Sequence, residues 1–396
     1  MRWTIPMAAA LFGALSAANA EEAPVRFGIL MGFTGPVESL TPDMAAAARL
    51  AFDEASASGR FLGGRTIEAV LADSTCTDAA AAVASAERLV DREEVVAIVG
   101  AACSGTTGAA ARNVTLPRGV VMISPSATSP GLSGLSTDDF FFRTAPSDAR
   151  QGEVLAETLA DHGIFEIAVT YTNNDYGKGL ADAFSGAFAR LGGAVSVVVP
   201  HEDGKADYTA EVATLSAAGS DQLLVIGYVD QGGLQIVRTA LDLGAFDKFV
   251  FPDGMIGESV LNAAAGELEG SIGIMPGTDG PGASAFDALA EGAGLGGSGP
   301  YWGESYDAAA LLVLAAQAAG STETAALART LRAVANAPGT EIGAGELAKG
   351  LDILSQGGDI DYVGATDIEF SDLGDTLGGF RELAIEDNAF TPVKLR

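Results

Sequence analysis

Short apolar runs alternate with longer amphipathic or alanine-rich stretches from Val25 almost to the C-terminus. A short run bounded by turn residues reads as a buried strand, and a long stretch with apolar positions three and four apart reads as a helix. In alternation the two describe β-α units around parallel sheets, so the fold class is α/β. Strands are predicted over 25–31, 66–72, 95–100 and 120–123, with helices over 42–58, 79–91 and 106–112. The run 140–144 ends in Ala145-Pro146-Ser147-Asp148, a breaker followed by a helix cap, and the pattern then restarts. The second series places strands at 167–171, 195–199, 223–227 and 249–251, interleaved with helices near 149–161, 177–191, 208–218 and 234–243. Two similar doubly wound parallel sheets are implied. Residues 277–300 are rich in Gly, Pro, Ser and Ala and read mainly as loop with one short helix, whereas 304–319 reads as a strong helix. Two late β-like runs, 367–370 and 380–385, flank the turn sequence Asp372-Leu373-Gly374-Asp375 and predict a hairpin.

The N-terminus changes the picture from fold to compartment. Arg2 precedes an apolar core over 5–18, and Ala18-Asn19-Ala20 forms a small-x-small cleavage site before Glu21, the pattern of a secretory signal. The core is too short to span a bilayer, and Glu21 stands where lipid attachment needs a cysteine. A soluble periplasmic chain beginning after residue 20 is expected; an uncleaved first helix is the other reading. Without the leader the chain still exceeds the size at which one core usually keeps growing, so two domains are expected. Aspartate plus glutamate outnumber lysine plus arginine 52 to 22, for a net charge of −30. That balance argues against nucleic acid and anionic membrane as partners, both of which require clustered positive charge. The negative charges are scattered and serve solubility.

The two cysteines, Cys76 and Cys103, meet an oxidising compartment and are expected to pair. The bridge would close a loop of about 28 residues and stabilise by roughly 3 kcal/mol. Two free buried thiols, or a metal pair, are the alternatives; the second is poorly supported because His162 and His201 are the only histidines and neither lies at ligand spacing from a cysteine. No metal site and no cofactor are expected. A nucleophile elbow G-x-S-x-G and a C-x-x-C motif are both absent from the sequence, and the expectation is a protein that is not an enzyme.

Several pieces occur in a telling order. Phe33-Thr34-Gly35-Pro36 follows the first strand, Gly100-Ala101-Ala102-Cys103-Ser104 the third, and Ile123-Ser124-Pro125-Ser126-Ala127-Thr128-Ser129-Pro130 the fourth. Asp175-Tyr176-Gly177-Lys178-Gly179, Gly227-Tyr228, Pro252-Asp253-Gly254 and Phe370-Ser371-Asp372-Leu373-Gly374-Asp375 come later. At these spacings the set resembles the periplasmic branched-chain amino-acid binding proteins of ABC importers, the Leu/Ile/Val-binding family on the type I periplasmic-binding fold, from Val25 to the C-terminus. The resemblance implies two lobes joined by three hinge crossovers, near 144–148, 275–277 and 364–366. Lobe one would comprise 24–145 plus 277–364, and lobe two 146–276 plus 365–396. It also implies a monomer that holds a small ligand in the cleft and delivers it to an ABC permease in the inner membrane. A soluble sensory protein, or a binder of amide or urea-type ligands on the same fold, is the alternative, since fold does not fix function.

A free amino acid presents a carboxylate, an ammonium and a side chain, and each has a candidate partner. Ser104 lies where a strand gives way to a helix, so its hydroxyl and nearby N–H groups can face a carboxylate; the plain alternative is a helix cap. By resemblance Ser126, Ala127 and Thr128 contact both charged ends of the ligand main chain. Asp253 occupies the place of an acidic residue set against the ligand ammonium, where the bond is charge-assisted. Read alone it is a turn residue, but its place at the carboxyl edge of a sheet is where α/β folds bind ligands. Tyr176 and Tyr228 from lobe two and Leu40 from lobe one would cover the ligand side chain, with the register leaving Val229 as the alternative to Tyr228. Leu40 stands where the family often has an aromatic ring, Ser126 where it often has Ala, and Asp253 is shorter than the Glu of some members. A branched or other neutral amino acid is the expected ligand, with a short amide, a urea-like compound or a small carboxylate as alternatives.

Overall fold

Five parallel strands, β1 (Val25–Met31), β2 (Ile67–Asp73), β3 (Ala97–Gly100), β4 (Val121–Ser124) and β5 (Phe141–Pro146), form a first sheet in the order β2-β1-β3-β4-β5. Every residue of β3, β4 and β5 is buried, as expected of strands covered by helices on both faces. A second parallel set follows: β6 (Glu166–Thr172), β7 (Ala194–His201), β8 (Gln222–Ile226), β9 (Lys248–Phe251) and β10 (Ile272–Pro276), in the order β7-β6-β8-β9-β10. A two-stranded sheet joins β11 (Thr340–Gly343) to β12 (Ile360–Gly364). Near the C-terminus β13 (Asp375–Thr376) adds to β5, while β14 (Phe380–Glu386) runs antiparallel to β10 and pairs with β15 (Ala389–Leu395). This computed structural model describes residues 23–135, 138–264, 266–296 and 299–396; the expected leader, 1–20, lies outside them.

Both sheets share one topological device. The second strand lies outside the first and the third lies inside it, so the winding reverses between β1 and β3 and again between β6 and β8. At such a switch point neighbouring loops diverge and leave a crevice beyond the carboxyl ends of the strands. The helices Thr41–Ser58 and Trp302–Ala319 pack on each other against the first sheet, and Asp148–Asp161 packs on Asp175–Arg190 against the second. Trp302–Ala319 is buried from Trp302 to Gln317 except at Gly303, as its all-round apolar composition requires. Among the described residues no single helix is long and apolar enough to cross a membrane.

The chain passes from the first sheet to the second after Pro146, returns after Pro276, and passes over again between Thr376 and Phe380. These passages run side by side. Thr376 pairs with Pro146, a Cβ on Gly378 would lie 3.1 Å from the Pro146 ring, and the Gly277 amide donates to the Gly379 carbonyl at 3.0 Å. The third passage thus lies later than the expected 364–366. That turn is pinned to the first half by Asp307, buried in the helix Trp302–Ala319, whose carboxylate accepts from the Ala365 and Thr366 amides at 2.8 and 2.9 Å.

The strand β13 depends on one buried cation. Arg143 on β5 is fully buried; its Nε donates to Asp375 at 2.6 Å, and its other nitrogens reach Ser133 Oγ and the carbonyls of Ala127 and Ser129. Its amide takes the Gly374 carbonyl as acceptor. This pairing overturns the expected hairpin of 367–370 with 380–385. Phe370 bridges only to Thr376, and β14 turns back on β15 through Asp387 and Asn388, both at positive φ. The predicted strands of both series otherwise form with ends shifted by one or two residues. The helices Thr324–Ala335 and Leu347–Ser355, together with β10 to β12, were not legible in the pattern.

Cys76 and Cys103 form a disulfide with Cα atoms 5.2 Å apart, tying the loop after β2 to the end of β3. Replacing both cysteines with serine should lower stability by roughly 3 kcal/mol, read from the urea midpoint, and the unfolded, unreduced wild-type chain should show no reactive thiol. Arg143→Met should cost about 3 kcal/mol, because it strands buried carbonyls and a partly buried carboxylate; an unchanged midpoint would contradict this account of β13.

Candidate functional site

The crevices of the two sheets face each other across one cavity lined from both halves. From the first half, Leu40 arrives on the loop after β1, Ser104 at the first residue of the helix Ser104–Ala110 that follows β3, and Ser126 on the loop after β4. From the second half, Tyr176 follows β6, Tyr228 follows β8 and Asp253 follows β9. The six side chains converge because each is at the carboxyl end of its strand, where both switch points open.

The hydroxyls in the first half are sorted by the bonds they already make. Ser104 Oγ accepts the Ser129 amide at 3.1 Å, which leaves its own proton free to donate into the cavity. Ser126 Oγ donates to the Ala102 carbonyl at 2.9 Å, which leaves its lone pairs free to accept. Ala127 and Thr128 lie behind this wall and do not line the cavity. Ala127 is fully buried, with its amide on Ser124 Oγ and its carbonyl on Arg143. The Thr128 carbonyl accepts the Asp148 amide at 2.8 Å, and the buried Thr128 hydroxyl faces the Asp148 carboxyl.

Asp253 is buried in the second half. Tyr176 donates its hydroxyl to Oδ1 at 2.8 Å, and Tyr301, from the first half, donates to Oδ2. Burial pushes the Asp253 carboxyl up to about 6, with the Tyr176 bond and the Gly254 amide acting against that rise. Asp148, also fully buried, is pushed well above the usual carboxylate range by burial and then by the charge of Asp253. The Thr128 hydroxyl bears on the Asp148 carboxyl and the Gln151 amide on the Asp253 carboxyl, each acting against the rise that burial causes. Burial likewise raises Tyr176 well above its ordinary value, so its hydroxyl remains a donor to Asp253 at physiological pH.

Tyr228 stacks on Tyr176 with ring centroids 5.4 Å apart, and Asn174 Nδ2 donates to its hydroxyl at 3.2 Å. The open choice of register resolves in favour of Tyr228, since Val229 points into the apolar core of the second half. Gly254 is what lets Tyr176 reach Asp253: a Cβ there would sit 2.8 Å from the Tyr176 hydroxyl and 2.5 Å from the Gly227 carbonyl.

Sequence reasoning missed Tyr301, Val37, Thr41 and Met44, which also line the cavity. Val37, Thr41 and Met44 flank Leu40 and were within reach of a helical reading of that turn. Tyr301 has a left-handed backbone, φ 69°, immediately before the helix Trp302–Ala319. The aromatic pair Tyr301-Trp302 at a helix start was the only available signal. Among the described residues no group of three or more His, Cys, Asp or Glu side chains is placed to hold a metal ion.

Residues 24–346 match the family described as periplasmic binding protein. An amino acid binding protein of Pseudomonas aeruginosa is 30% identical over 250 residues, which cover 62% of this chain and 64% of that relative's length. Among solved structures, the leucine-binding protein LivK of Thermotoga maritima superposes with a TM-score of 0.77 at 22% identity, over 94% of this chain and 98% of the other. A solute-binding protein of an ABC transporter from R. palustris, in complex with 4-hydroxybenzoate, superposes with a TM-score of 0.76 at 19% identity, over 94% and 97%. These superpositions show that the chain shares its α/β fold of parallel sheets with these neighbours. The chain belongs to the periplasmic binding protein family.

Proposed function

We propose that this protein is the substrate-binding component of an ABC importer, that it captures an amino acid with a neutral side chain between its two halves in the periplasm, and that it hands this ligand to a permease in the inner membrane. One observation carries the reading. A free hydroxyl donor, Ser104, and a buried carboxylate, Asp253, enter the same cavity from opposite halves, and the wall between them is apolar and aromatic. The two polar ends suit the carboxylate and ammonium of a zwitterion, and Leu40, Val37 and Met44 with the Tyr228 ring suit an uncharged side chain. The named relative and the leucine-binding neighbour support that ligand class. The reading assigns no catalytic step to any residue.

In this reading lobe one is 24–146 plus 277–376, lobe two is 147–276 plus 380–396, and the three adjacent passages are the hinge. Ligand contacts available only when both lobes meet favour the closed form, which is a population shift. The 4-hydroxybenzoate complex marks an aromatic acid as the competing ligand class, and the stacked tyrosines Tyr176 and Tyr228 would suit its ring. An acid without an ammonium, however, leaves Asp253 without a cationic partner.

A thermal-shift screen should show a clear rise in Tm with neutral L-amino acids and none with 4-hydroxybenzoate; the reverse ranking would replace the amino-acid reading. For the ligand so found, calorimetry on Ser104→Ala and Asp253→Asn should show affinity losses of about tenfold and about a hundredfold, the larger for the charge-assisted bond. Near-native affinity in both variants would refute the site.

The pH dependence follows from Asp253. Because its carboxyl is raised to about 6, the free protein holds a proton there below that pH. The stability this protonated form contributes is present at low pH and is lost as pH rises through about 6. A bound ammonium reverses the preference and favours the ionised form, so binding expels a proton. Affinity should fall by up to about tenfold per pH unit below 6, with proton release visible when calorimetry is run in buffers of different ionisation enthalpy. Asp253→Asn should abolish that slope.

A further inference from the structure

Several contacts join the two halves at the rim of the cavity, and Asp230 is at their centre. It lies just beyond Tyr228 on the loop after β8. Its amide donates to the Pro36 carbonyl at 3.1 Å, and its carboxylate accepts the Ser39 amide on Oδ2 at 2.8 Å and the Ser259 hydroxyl on Oδ1 at 2.8 Å. Ser259 Oγ also lies 3.4 Å from Ser39 Oγ. Pro36 and Ser39 belong to the loop after β1, on the opposite half. Along that loop the roles divide: the main chain of Pro36 and Ser39 goes to Asp230, and the side chains of Val37 and Leu40 go to the cavity.

Leu40 completes the join. Although it belongs to the first half, it packs on the apolar core of the second, to which Val229 belongs. Gly257 makes room, since a Cβ there would stand 3.4 Å from Leu40 Cδ2 and 3.1 Å from Val229. Between β1 and the helix Thr41–Ser58 this loop is tethered covalently only to the first half, so its bonds to Asp230 must form and break as the halves meet and part.

We propose that Asp230 is a positioning residue that clasps the loop after β1 across the cleft, seats Val37 and Leu40 over the ligand, and thereby sets how much of the time the cleft is shut. The proposal rests on the reading of two lobes that close on a ligand. A carboxylate suits such a clasp because it takes an amide and a hydroxyl at once through charge-assisted bonds, yet its partial exposure lets water replace them on opening. The clasp adds closing free energy that depends on no particular ligand, so it governs retention, while Ser104, Asp253 and the cavity wall govern selection.

The test uses the full chain with Ser39→Cys and Ser259→Cys, whose native hydroxyls face each other across the rim. Under mild oxidation the new pair should cross-link, and peptide mass spectrometry will distinguish it from the Cys76–Cys103 bridge. Adding Asp230→Ala should slow cross-linking by about tenfold with the Tm unchanged, and Asp230→Asn, which retains one acceptor oxygen, should fall between. Failure to cross-link, or a rate insensitive to both Asp230 substitutions, would overturn the clasp. Saturating L-leucine should accelerate the reaction in every variant. If the Asp230 dependence is present but no amino acid alters the rate, the clasp stands and the amino-acid reading fails.

Discussion

A carboxylate taken out of water must find hydrogen-bond donors or give up its charge, and Asp253 meets that condition with groups from both halves of the molecule. Tyr176 reaches one oxygen from its own half and Tyr301 reaches the other from across the cleft. The surrounding architecture serves this meeting. Gly254 admits the Tyr176 ring, the left-handed turn at Tyr301 aims its hydroxyl, and the facing switch points of two parallel sheets bring the loops together. Even with two phenols bound, burial keeps the carboxyl near 6, so an ammonium is worth more to Asp253 than a further neutral donor.

The second constraint is mechanical. Three passages of backbone lie side by side, held by the pairing of Thr376 with Pro146 and the bond from Gly277 to Gly379. On the proposed reading, a change of angle between the halves is concentrated in these few residues, with the helices packed on each sheet moving as part of their half. Arg143 fixes where the third passage begins by holding β13 to β5, and Asp307 keeps the 364–366 turn in the first half by tying it to the buried helix Trp302–Ala319. Away from these passages, the bonds of Asp230 join the loop after β8 to the loop after β1 beside the cavity.

Much of this was legible in the sequence because parallel strands buried on both faces leave an unambiguous apolar signature, and because Ser104 and Asp253 are at strand ends. Other parts left no local trace. Arg143 is a charged residue inside a strand that reads as apolar, and its partner Asp375 is 232 residues away. The β13 pairing and the passage that follows it depend on that partnership, so turn chemistry alone misplaced the late hairpin. Tyr301 follows a Gly- and Pro-rich stretch whose backbone cannot be read from composition, and the bond from Ser39 to Asp230 spans 191 positions. Ala127 and Thr128 came from motif resemblance, which locates a loop but does not say which of its residues face the cavity.

The account turns on an ammonium at Asp253 and a carboxylate at Ser104 acting together. Calorimetry on the unaltered protein with L-leucine, with 4-methylpentanoate, which lacks the ammonium, and with leucinamide, which lacks the carboxylate, tests that directly. Measurable binding of L-leucine, with each truncated compound weaker by about a hundredfold or more, is the predicted result. Binding of 4-methylpentanoate as tightly as L-leucine would contradict it.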